Sequence, residues 1–302
     1  MGTSIMMSLP FGVLKFAMSS TASLPGFASR CIGTADIVLM HSVVEIAGLN
    51  NLMRNVLARA AGAICGMVEG STKVPLSLPG RGEKPFIAMT LFGPCEECAK
   101  NVRKRLEGKG YQVIGFSAAG IGDRAMKEII ERQDIFGAVI DLAPGGVGEE
   151  LLGFTRAAGS TRLEAAGEKG IPQIIAPCGI NWGSPRKRDY KPEYKVRKKC
   201  DYDAARTFVR LSKDEMIRVA DAMAGKLNKA LGPVKVLIPL CGWSSLDRRG
   251  TDFYNAELDR AFVDELKKQL TRDIEVREVD IDLDTPEFAQ AIVDAFDEIM
   301  VS

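Results

Sequence analysis

The sequence predicts an α/β protein with a mainly parallel, doubly wound sheet and helices on both faces, a Rossmann-like three-layer fold. The observation behind this prediction occurs three times: a short apolar run ends in a Gly-rich turn that opens directly into a helix. The runs are Phe86–Phe92, Tyr111–Phe116 and Gly137–Leu142. Strands that alternate with helices build parallel sheets, and small ligands bind at the carboxyl edge of such sheets.

Composition places the chain among ordinary soluble globular proteins with one large domain or two small ones. Its 302 residues are 26% charged and 46% apolar, and 40 basic side chains balance 39 acidic ones. This balance predicts neither nucleic-acid binding nor attraction to a membrane. No apolar stretch reaches the ~18–20 residues that a membrane span needs.

Two features of the sequence favour a cytoplasmic location. Residues 1–28 lack a basic n-region, and Pro10, Gly12 and Lys15 interrupt their apolar run, so we do not interpret them as a signal peptide. The seven cysteines are odd in number and irregularly spaced, which is not typical of a disulfide framework. Reduced thiols in the cytoplasm are the expected state.

The N-terminal part predicts a strand and helix segment followed by a linker. The expected elements are the strands Val13–Met18 and Ile37–Met40 and the helix Ile46–Val68. Residues Glu69–Lys84 are rich in Gly and Pro, which indicates a linker. We therefore expect residues 1–84 to pack on a main Rossmann-like domain formed by residues 85–302.

Regular alternation begins after this linker. The predicted strands are Phe86–Phe92, Gln112–Ser117, Ala138–Leu142, Pro172–Pro177, Val234–Leu240 and Ile274–Val279. The predicted helices are Glu96–Gly108, Arg124–Arg132, a stretch from Glu149 to Lys169 interrupted near Gly159, Ala256–Leu270 and Pro286–Met300. Residues 184–203 interrupt the alternation of strands and helices and are expected to be irregular.

One helix start and one helix face are especially clear. Ser212 and Glu215 have the spacing of a capping box, which predicts a helix with Ser212 as its N-cap. The last helix carries an apolar stripe at helical spacing. The stripe consists of Phe288, Ile292, Ala295, Phe296 and Ile299.

The turn Gly120–Asp123 is the first candidate ligand site. Gly120 and Gly122 leave backbone N–H groups accessible to a phosphate, and Arg124 adds positive charge. A tight strand-to-helix turn also uses Gly for backbone reasons alone, and Asp123 has a second interpretation as a helix N-cap.

The turn after Asp141 is the second candidate. Gly145, Gly146 and Gly148 place three glycines within four residues, which one turn does not require, so we expect ligand contact there. Asp141, near the end of its strand, is a candidate for a ribose hydroxyl or a metal. The alternative is a carboxylate that stabilises the turn.

Further candidates follow the ends of other predicted strands. Hydroxyl, amide and carboxylate groups beyond a strand suit a polar ligand, and no metal ligand set is predicted. These candidates are Gly93, Asn181, Gly242, Ser244, Ser245 and Asp247.

A basic segment lies at Arg186–Lys199. Eight of its side chains are positive and two are negative, a balance of about +6. It follows a predicted strand end, so one interpretation is a lid over a phosphate. A solvated basic loop is the alternative.

Other catalytic chemistries find little support. Cys95-x-x-Cys98 has the spacing of a redox dithiol or half a zinc site, but a buried helix start also explains it. His41 is the single histidine, which argues against Ser-His-Asp and Cys-His mechanisms. No Gly-x-x-x-x-Gly-Lys-Ser/Thr motif occurs, so the chain is not a P-loop enzyme.

Several motifs together resemble one known family. They are Ala88–Gly93, Asp123–Met126, Arg162–Ala166 followed by Gly170–Gln173, Ser42–Asn50, Leu227–Val234 and Gly242–Asp247. In combination they resemble the Tm-1-like ATP-binding family, relatives of the tomato mosaic virus resistance protein. The resemblance covers the second half of that family's two-domain region. It implies ATP with Mg²⁺ as the ligand.

The leading expectation is a nucleotide- or phosphometabolite-binding protein, with the ligand at the carboxyl edge of the sheet. One alternative is a non-catalytic interaction subunit that completes a site with a separately encoded first half. Another is a metabolic enzyme that applies carboxylate and arginine chemistry to a small anionic substrate. No catalytic residue is assigned by the sequence.

The early apolar segment predicts self-association. Leu9–Val68 is rich in small and apolar residues, and an apolar surface left open on a monomer favours association. We expect a homodimer or larger assembly with the predicted helix Ile46–Val68 in or near the interface.

Overall fold

The computed structural model describes residues 15–23, 32–46, 49–74, 77–80, 82–203, 206–271 and 273–301. The chain divides into two compact units, Met1–Leu78 and Pro79–Ser302. The alternating strands and helices predicted after the linker all lie in the second unit.

The first unit contains two parallel strands and one long helix. β1 (Lys15–Ser19) pairs with β2 (Ile37–His41), and Val13 lies outside the described residues. α1 (Asn51–Lys73) begins later than the predicted Ile46, because Asn50 is extended and caps the helix by accepting a hydrogen bond from the Met53 amide at 2.8 Å. It continues to Lys73, into the predicted linker.

The second unit contains a parallel six-stranded sheet, which confirms the predicted fold class. Its strands are β3 (Phe86–Leu91), β4 (Val113–Ser117), β5 (Phe136–Asp141), β6 (Gln173–Ile175), β10 (Val234–Pro239) and β11 (Glu275–Val279). The spatial order is β4-β3-β5-β6-β10-β11, and every neighbouring pair is parallel. Counted along the chain this is the order 2-1-3-4-5-6.

Helices cover both faces of this sheet. They are α2 (Glu96–Gly108), α3 (Ile121–Arg132), α4 (Gly146–Leu152), α5 (Ala165–Glu168), α6 (Pro192–Val196), α7 (Lys213–Leu227), α8 (Ala256–Gln269) and α9 (Pro286–Val301). None of the helices in the described ranges is both long enough and apolar enough to cross a bilayer.

Strand side chains alternate between two cores. Ile87 and Met89 join the core formed with α2 and α9, whereas Phe86 and Ala88 join the core beside α3 and α5. β10 alternates in the same way, and its Val236 packs in the core with α7 and α8. A buried sheet needs apolar residues on both faces, which explains its continuous apolar runs.

Two predicted features of the second unit are confirmed. Ser212 caps α7 and accepts from the Glu215 amide, while the Glu215 carboxylate accepts from the Ser212 amide. The predicted stripe of α9 is buried from Phe288 to Ile299.

Two other predictions are wrong. The stretch Glu149–Lys169 is not one interrupted helix, because Gly153, Gly159 and Leu163 take positive φ and leave only the short α4 and α5. Residues 184–203 are also not irregular. They contain a 3₁₀ turn, α6 and β8 (Lys199–Asp201), and β8 pairs antiparallel with β9 (Thr207–Arg210), which in turn pairs with β7 (Trp182–Gly183).

Candidate functional site

The strand order of the sheet defines the place where a ligand is expected. The chain moves outward from β3 to β4 and then returns to β5 on the other side of β3. In doubly wound sheets, ligands bind outside the carboxyl ends of the strands at this point of reversal, here called the switch point. The predicted site residues Gly93, Gly120–Arg124 and Asp141–Gly148 follow the three strands that meet there.

α3 starts beside the switch point, and its first turn contains four predicted site residues. Gly120 has φ of 89° and is the N-cap, so the interpretation of Asp123 as the N-cap is wrong. Asp123 is the third helical residue, and its Oδ2 accepts a hydrogen bond from the Gly120 amide at 2.8 Å. Gly122 is required by packing, since a Cβ would overlap the Ser117 backbone. Arg124 is exposed.

Asp123 and Asp141 both form ion pairs with one buried arginine, Arg162. Arg162 Nε lies 2.8 Å from Asp123 Oδ1, and Arg162 Nη1 lies 2.5 Å from Asp141 Oδ2. Burial opposes the charge of the guanidinium, but the carboxylates of Asp141 and Asp123 outweigh it and hold the pKa of Arg162 above its usual value. Thr90 completes this Arg162 cluster, because its Oγ1 donates to Asp141 Oδ1 at 2.8 Å.

The three glycines of the second candidate turn are buried against neighbouring backbone and side chains. A Cβ on Gly145 would overlap the carbonyl of Gly179, and one on Gly146 would lie 2.7 Å from the Ala158 methyl group. Gly148 packs against Val219. Each glycine therefore has a packing reason of its own, and ligand contact at this turn stays a prediction.

A second buried arginine lies between the loops at the carboxyl ends of β3 and β4. Arg156 Nη2 donates to Glu149 Oε1 at 2.8 Å, and its Nη1 donates to the Ala118 carbonyl at 3.2 Å. Its guanidinium also lies 4.7 Å from the ring centroids of Phe92 and Trp182. The Glu149–Arg156 pair was not predicted, because the helix ends at Leu152 and left-handed Gly153 breaks any helical spacing between the two residues.

A third polar cluster brings together predicted residues from the loops that follow β6 and β10. The Asn181 amide donates to Asp247 Oδ2 and, at 3.1 Å, to Asp259 Oδ1, which is also ion-paired with Arg210. Burial, reinforced by the neighbouring Asp259 carboxylate, raises the pKa of Asp247 to about 6. Burial likewise raises the pKa of Asp259.

The remaining candidates of the β10 turn are engaged in the same region. Ser244 Oγ donates to Asp247 Oδ1 at 3.1 Å, and the Ser245 amide donates to the Pro94 carbonyl at 2.8 Å. Gly242 has φ of 141°, and a Cβ there would lie 2.6 Å from the Arg248 Cα. The hydrogen bond from Ser245 to Pro94 joins this turn to the 3₁₀ turn that precedes α2.

The basic segment is folded, and Tyr202, which follows it, reaches the end of β3. Tyr202 follows β8, stacks on Phe92 with ring centroids 6.2 Å apart, and lies over the exposed Gly93. Arg197 is tied to Glu215, whereas Arg186 and Arg188 are exposed and contact Asp189 only at 3.6–3.9 Å.

The Cys95 and Cys98 thiols do not form a reactive pair, and His41 belongs to the first unit. Cys95 and Cys98 are both buried, and burial raises the pKa of the Cys98 thiol well above its usual value, which is the opposite of a reactive dithiol. His41 ends β2, in the first unit, and its Nε2 lies 3.1 Å from the Ser20 carbonyl oxygen.

The structure thus gathers the predicted residues into separate groups. Asp123 and Asp141 share the Arg162 cluster, whereas Asn181, Ser244 and Asp247 form another with Arg210. Arg124 and Gly93 are exposed and belong to neither. The buried basic partners were not predicted, because Arg162 and Arg210 lie 39 and 49 residues from their carboxylates and Arg156 lies beyond the end of the helix that carries Glu149.

Comparison with known proteins identifies the family. Residues 84–300 match the C-terminal domain of the uncharacterised protein family UPF0261, and residues 1–73 match its N-terminal domain. The chain belongs to the UPF0261 family. It therefore carries sequence from both domains, which corrects the expectation that only the second half is present.

Individual relatives include both bacterial and plant proteins. A UPF0261 protein of Clostridium tetani is 36% identical over 297 residues, covering 96% of this chain and 72% of the relative. The ToMV resistance protein Tm-1 of Solanum lycopersicum is 34% identical over 307 residues, covering 99% of this chain and 40% of the plant protein. A UPF0261 protein of Brucella suis is 32% identical, and 68% of it is covered.

These relatives confirm the Tm-1-like resemblance. The chain spans 40% of the tomato protein, so the activity and partners of that longer protein are not transferred with its sequence. The alignment with the tomato protein covers 99% of this chain, so it extends through both matched domains.

Proposed function

We propose that this chain binds a nucleotide or phosphorylated metabolite at the carboxyl edge of the six-stranded sheet, beside the switch point between β3 and β5. The observation that carries the proposal is the strand order, because sheets with this order bind ligands where the order reverses. ATP is the first candidate, from the resemblance to the Tm-1-like ATP-binding family.

The start of α3 supports a phosphate-bearing ligand. The first amides of a helix have no partner within the helix, and the helix dipole favours negative charge there. α3 is 12 residues long, and exposed Arg124 lies in its first turn. A phosphate at residues 121–124 would meet both backbone donors and a guanidinium.

The basic segment supports the same ligand class. Tyr202, three residues after this segment, lies against Gly93, at the carboxyl end of β3. The segment before it carries exposed cations such as Arg186, Arg188 and Lys191, whose positive potential would favour an anionic ligand.

The carboxylates do not fit a metal site made by the protein alone. Asp123 and Asp141 are both paired with Arg162, so neither is free to bind Mg²⁺. In the described part of the chain, no group of three or more Asp, Glu, His or Cys side chains is placed to hold a metal. A Mg²⁺ ion that arrives with ATP would be held mainly by phosphates and water.

Calorimetry and thermal denaturation test the proposal. We expect ATP, ADP or a sugar phosphate, with and without Mg²⁺, to raise the melting temperature, since a ligand at 100 times its Kd stabilises by about 2.7 kcal/mol. If no phosphate compound in a broad panel binds or stabilises the protein, the proposal fails.

Two arginines of the same helix provide a matched pair of variants. Arg124→Ala removes a charge from the first turn of α3 and should weaken phosphate binding by about tenfold or more. Arg132→Ala removes the same charge from the last turn and should leave Kd unchanged. Equal effects of the two variants would place the ligand elsewhere.

The first unit favours a second proposal, association with another polypeptide. Within the described residues, β1 and β2 form a parallel sheet of only two strands, whereas parallel sheets are normally extended and buried. α1 leaves Leu52 57%, Ile64 43% and Val68 48% exposed. A second copy of the chain, or a separately encoded protein that supplies further strands, would cover this surface.

Light scattering tests association directly. We expect the purified chain to form a dimer or larger assembly, or to co-purify with a strand-supplying protein from its host. Ile64→Lys should disrupt the complex, whereas Leu231→Lys, at an exposed position of the second unit, should not. A stable monomer without a companion contradicts the proposal.

A further inference from the structure

One cavity in the second unit, partly open to solvent, is lined by residues whose buried polar atoms lack hydrogen-bond partners. It lies between α3, α5 and the sheet, away from the exposed Arg124, and has a volume of about 20 Å³. Arg162 and Gln173 line it with side chains that are 2% and 1% exposed. Among the described residues, Arg162 Nη2 and Gln173 Nε2 have no hydrogen-bond partner.

A third polar atom faces the same cavity. Asp141 Oδ2 is ion-paired with Arg162 Nη1 but receives no hydrogen bond of good geometry. The cavity therefore offers the unused N–H groups of two donors and the lone pairs of one acceptor. A buried polar group without a partner is destabilising and rare in folded proteins, so three around one cavity indicate a missing occupant.

Volume and charge define the occupant. One water needs roughly 10–15 Å³ of such volume, so the cavity holds one and not two. Of the charged side chains that line it, Arg162 and Lys127 are basic and Asp123 and Asp141 are acidic, and Lys127 is already paired with Glu131, so no excess positive charge is left to hold an anion. The guanidinium and the amide N–H groups repel a metal cation. A water molecule, by contrast, both accepts and donates.

We infer that a single ordered water occupies this cavity. It accepts hydrogen bonds from Arg162 Nη2 and Gln173 Nε2 and donates one to Asp141 Oδ2, which satisfies all three atoms. Buried waters typically make about three hydrogen bonds to protein groups. The water thereby links the start of β6 to the end of β5 and holds Asp141 in the Arg162 cluster.

A crystal structure of the whole chain, at a resolution that shows ordered solvent, tests the inference. We expect one density peak within about 2.7–3.2 Å of Arg162 Nη2, Gln173 Nε2 and Asp141 Oδ2. An empty cavity, a Gln173 amide turned to another partner, or a peak with the scattering of chloride would each overturn the inference.

Melting temperatures of variants test it in solution. Gln173→Met removes the amide and keeps the side-chain length. If the water is present, the variant loses hydrogen bonds and melts roughly 2–4 °C lower. If the cavity is dry, Gln173→Met removes an orphaned polar group and melts higher than wild type, which contradicts the inference. Gln290→Met, an exposed amide paired with Asp294 on α9, is the control and should leave the melting temperature unchanged.

Discussion

At the residue scale, buried arginines organise the carboxyl edge of the sheet. Arg162, Arg156 and Arg210 are each at most 4% exposed, and each is paired with a carboxylate. A charge buried without a partner is far more costly than an unpaired charge at the surface. The loops that carry these partners are therefore held in one arrangement by electrostatics as well as by packing.

The Arg162 cluster gives the first prediction. Arg162→Met leaves Asp123 and Asp141 buried without their cation, and we expect it to lower the free energy of unfolding by about 3–5 kcal/mol. Urea denaturation measures this loss. Arg260→Met removes an exposed ion pair with Glu278 and should cost less than about 1 kcal/mol. Comparable losses in the two variants would show that the cluster contributes little.

The Asp247 carboxyl gives a prediction about pH. Its pKa is about 6 in the folded chain, against about 3.9 when unfolded, so the folded state holds the proton more tightly. This group therefore contributes most to stability below pH 4, and its contribution falls by about 3 kcal/mol as pH rises to about 6.

Asp247→Asn removes this titration and isolates it. The difference in unfolding free energy between the variant and wild type should shift toward the variant by about 2 kcal/mol between pH 4 and pH 7. Carboxylates remote from Asp247 titrate alike in both proteins, so they cancel in the difference, whereas Asp259, its neighbour, is coupled to it. A difference that does not change with pH would place the pKa of Asp247 near its unfolded value.

The candidate residues show how far the sequence leads at this scale. Asp123 and Asp247 were selected in turns after predicted strands and Asp141 near the end of one, and all three are buried in polar clusters. Their partners were not predictable in the same way. Arg162 lies 39 residues beyond Asp123, and no local pattern specifies which distant arginine will meet a buried carboxylate.

At the element scale, periodicity predicted the long elements, and α2 has its predicted bounds, Glu96–Gly108. Prediction failed where elements are short. β7 and β8 have two and three residues, too few for a period of two to appear in the sequence. In the stretch before α5, Leu163 takes a left-handed conformation, which ends the helical pattern. Because Leu163 is not a glycine, the sequence gives no signal of this conformation.

The start of α7 gives a prediction for a single element. Ser212→Ala removes the side-chain acceptor for the Glu215 amide and should lower the free energy of unfolding by about 1 kcal/mol. Ser212→Asp supplies another good N-cap and should retain most of the stability. Chemical denaturation of both variants checks this, and an equal loss in both would mean that the cap is not the cause.

At the scale of the whole molecule, the two units differ in what supports them. The three large buried clusters that pack the sheet and its helices all consist of residues from the second unit. In the first unit, α1 buries only Met53, Val56 and Ala60 among its described side chains. The second unit therefore has a core of its own, as a domain that folds alone requires.

This contrast predicts the behaviour of separate fragments. Residues 79–302 expressed alone should unfold cooperatively, with a denaturant dependence expected for a domain of that size. Residues 1–78 alone should show no cooperative transition. Circular dichroism during urea titration measures both, and a fragment 79–302 without a cooperative transition would contradict the prediction.

The shared pairing of Arg162 has a consequence for the history of the family. One guanidinium neutralises two carboxylates that lie on different elements. A substitution at position 162 therefore leaves two buried carboxylates without a cation rather than one. Relatives in which position 162 is no longer basic should therefore have lost the acid at position 123, position 141 or both. In an alignment of UPF0261 sequences, these three positions should change together.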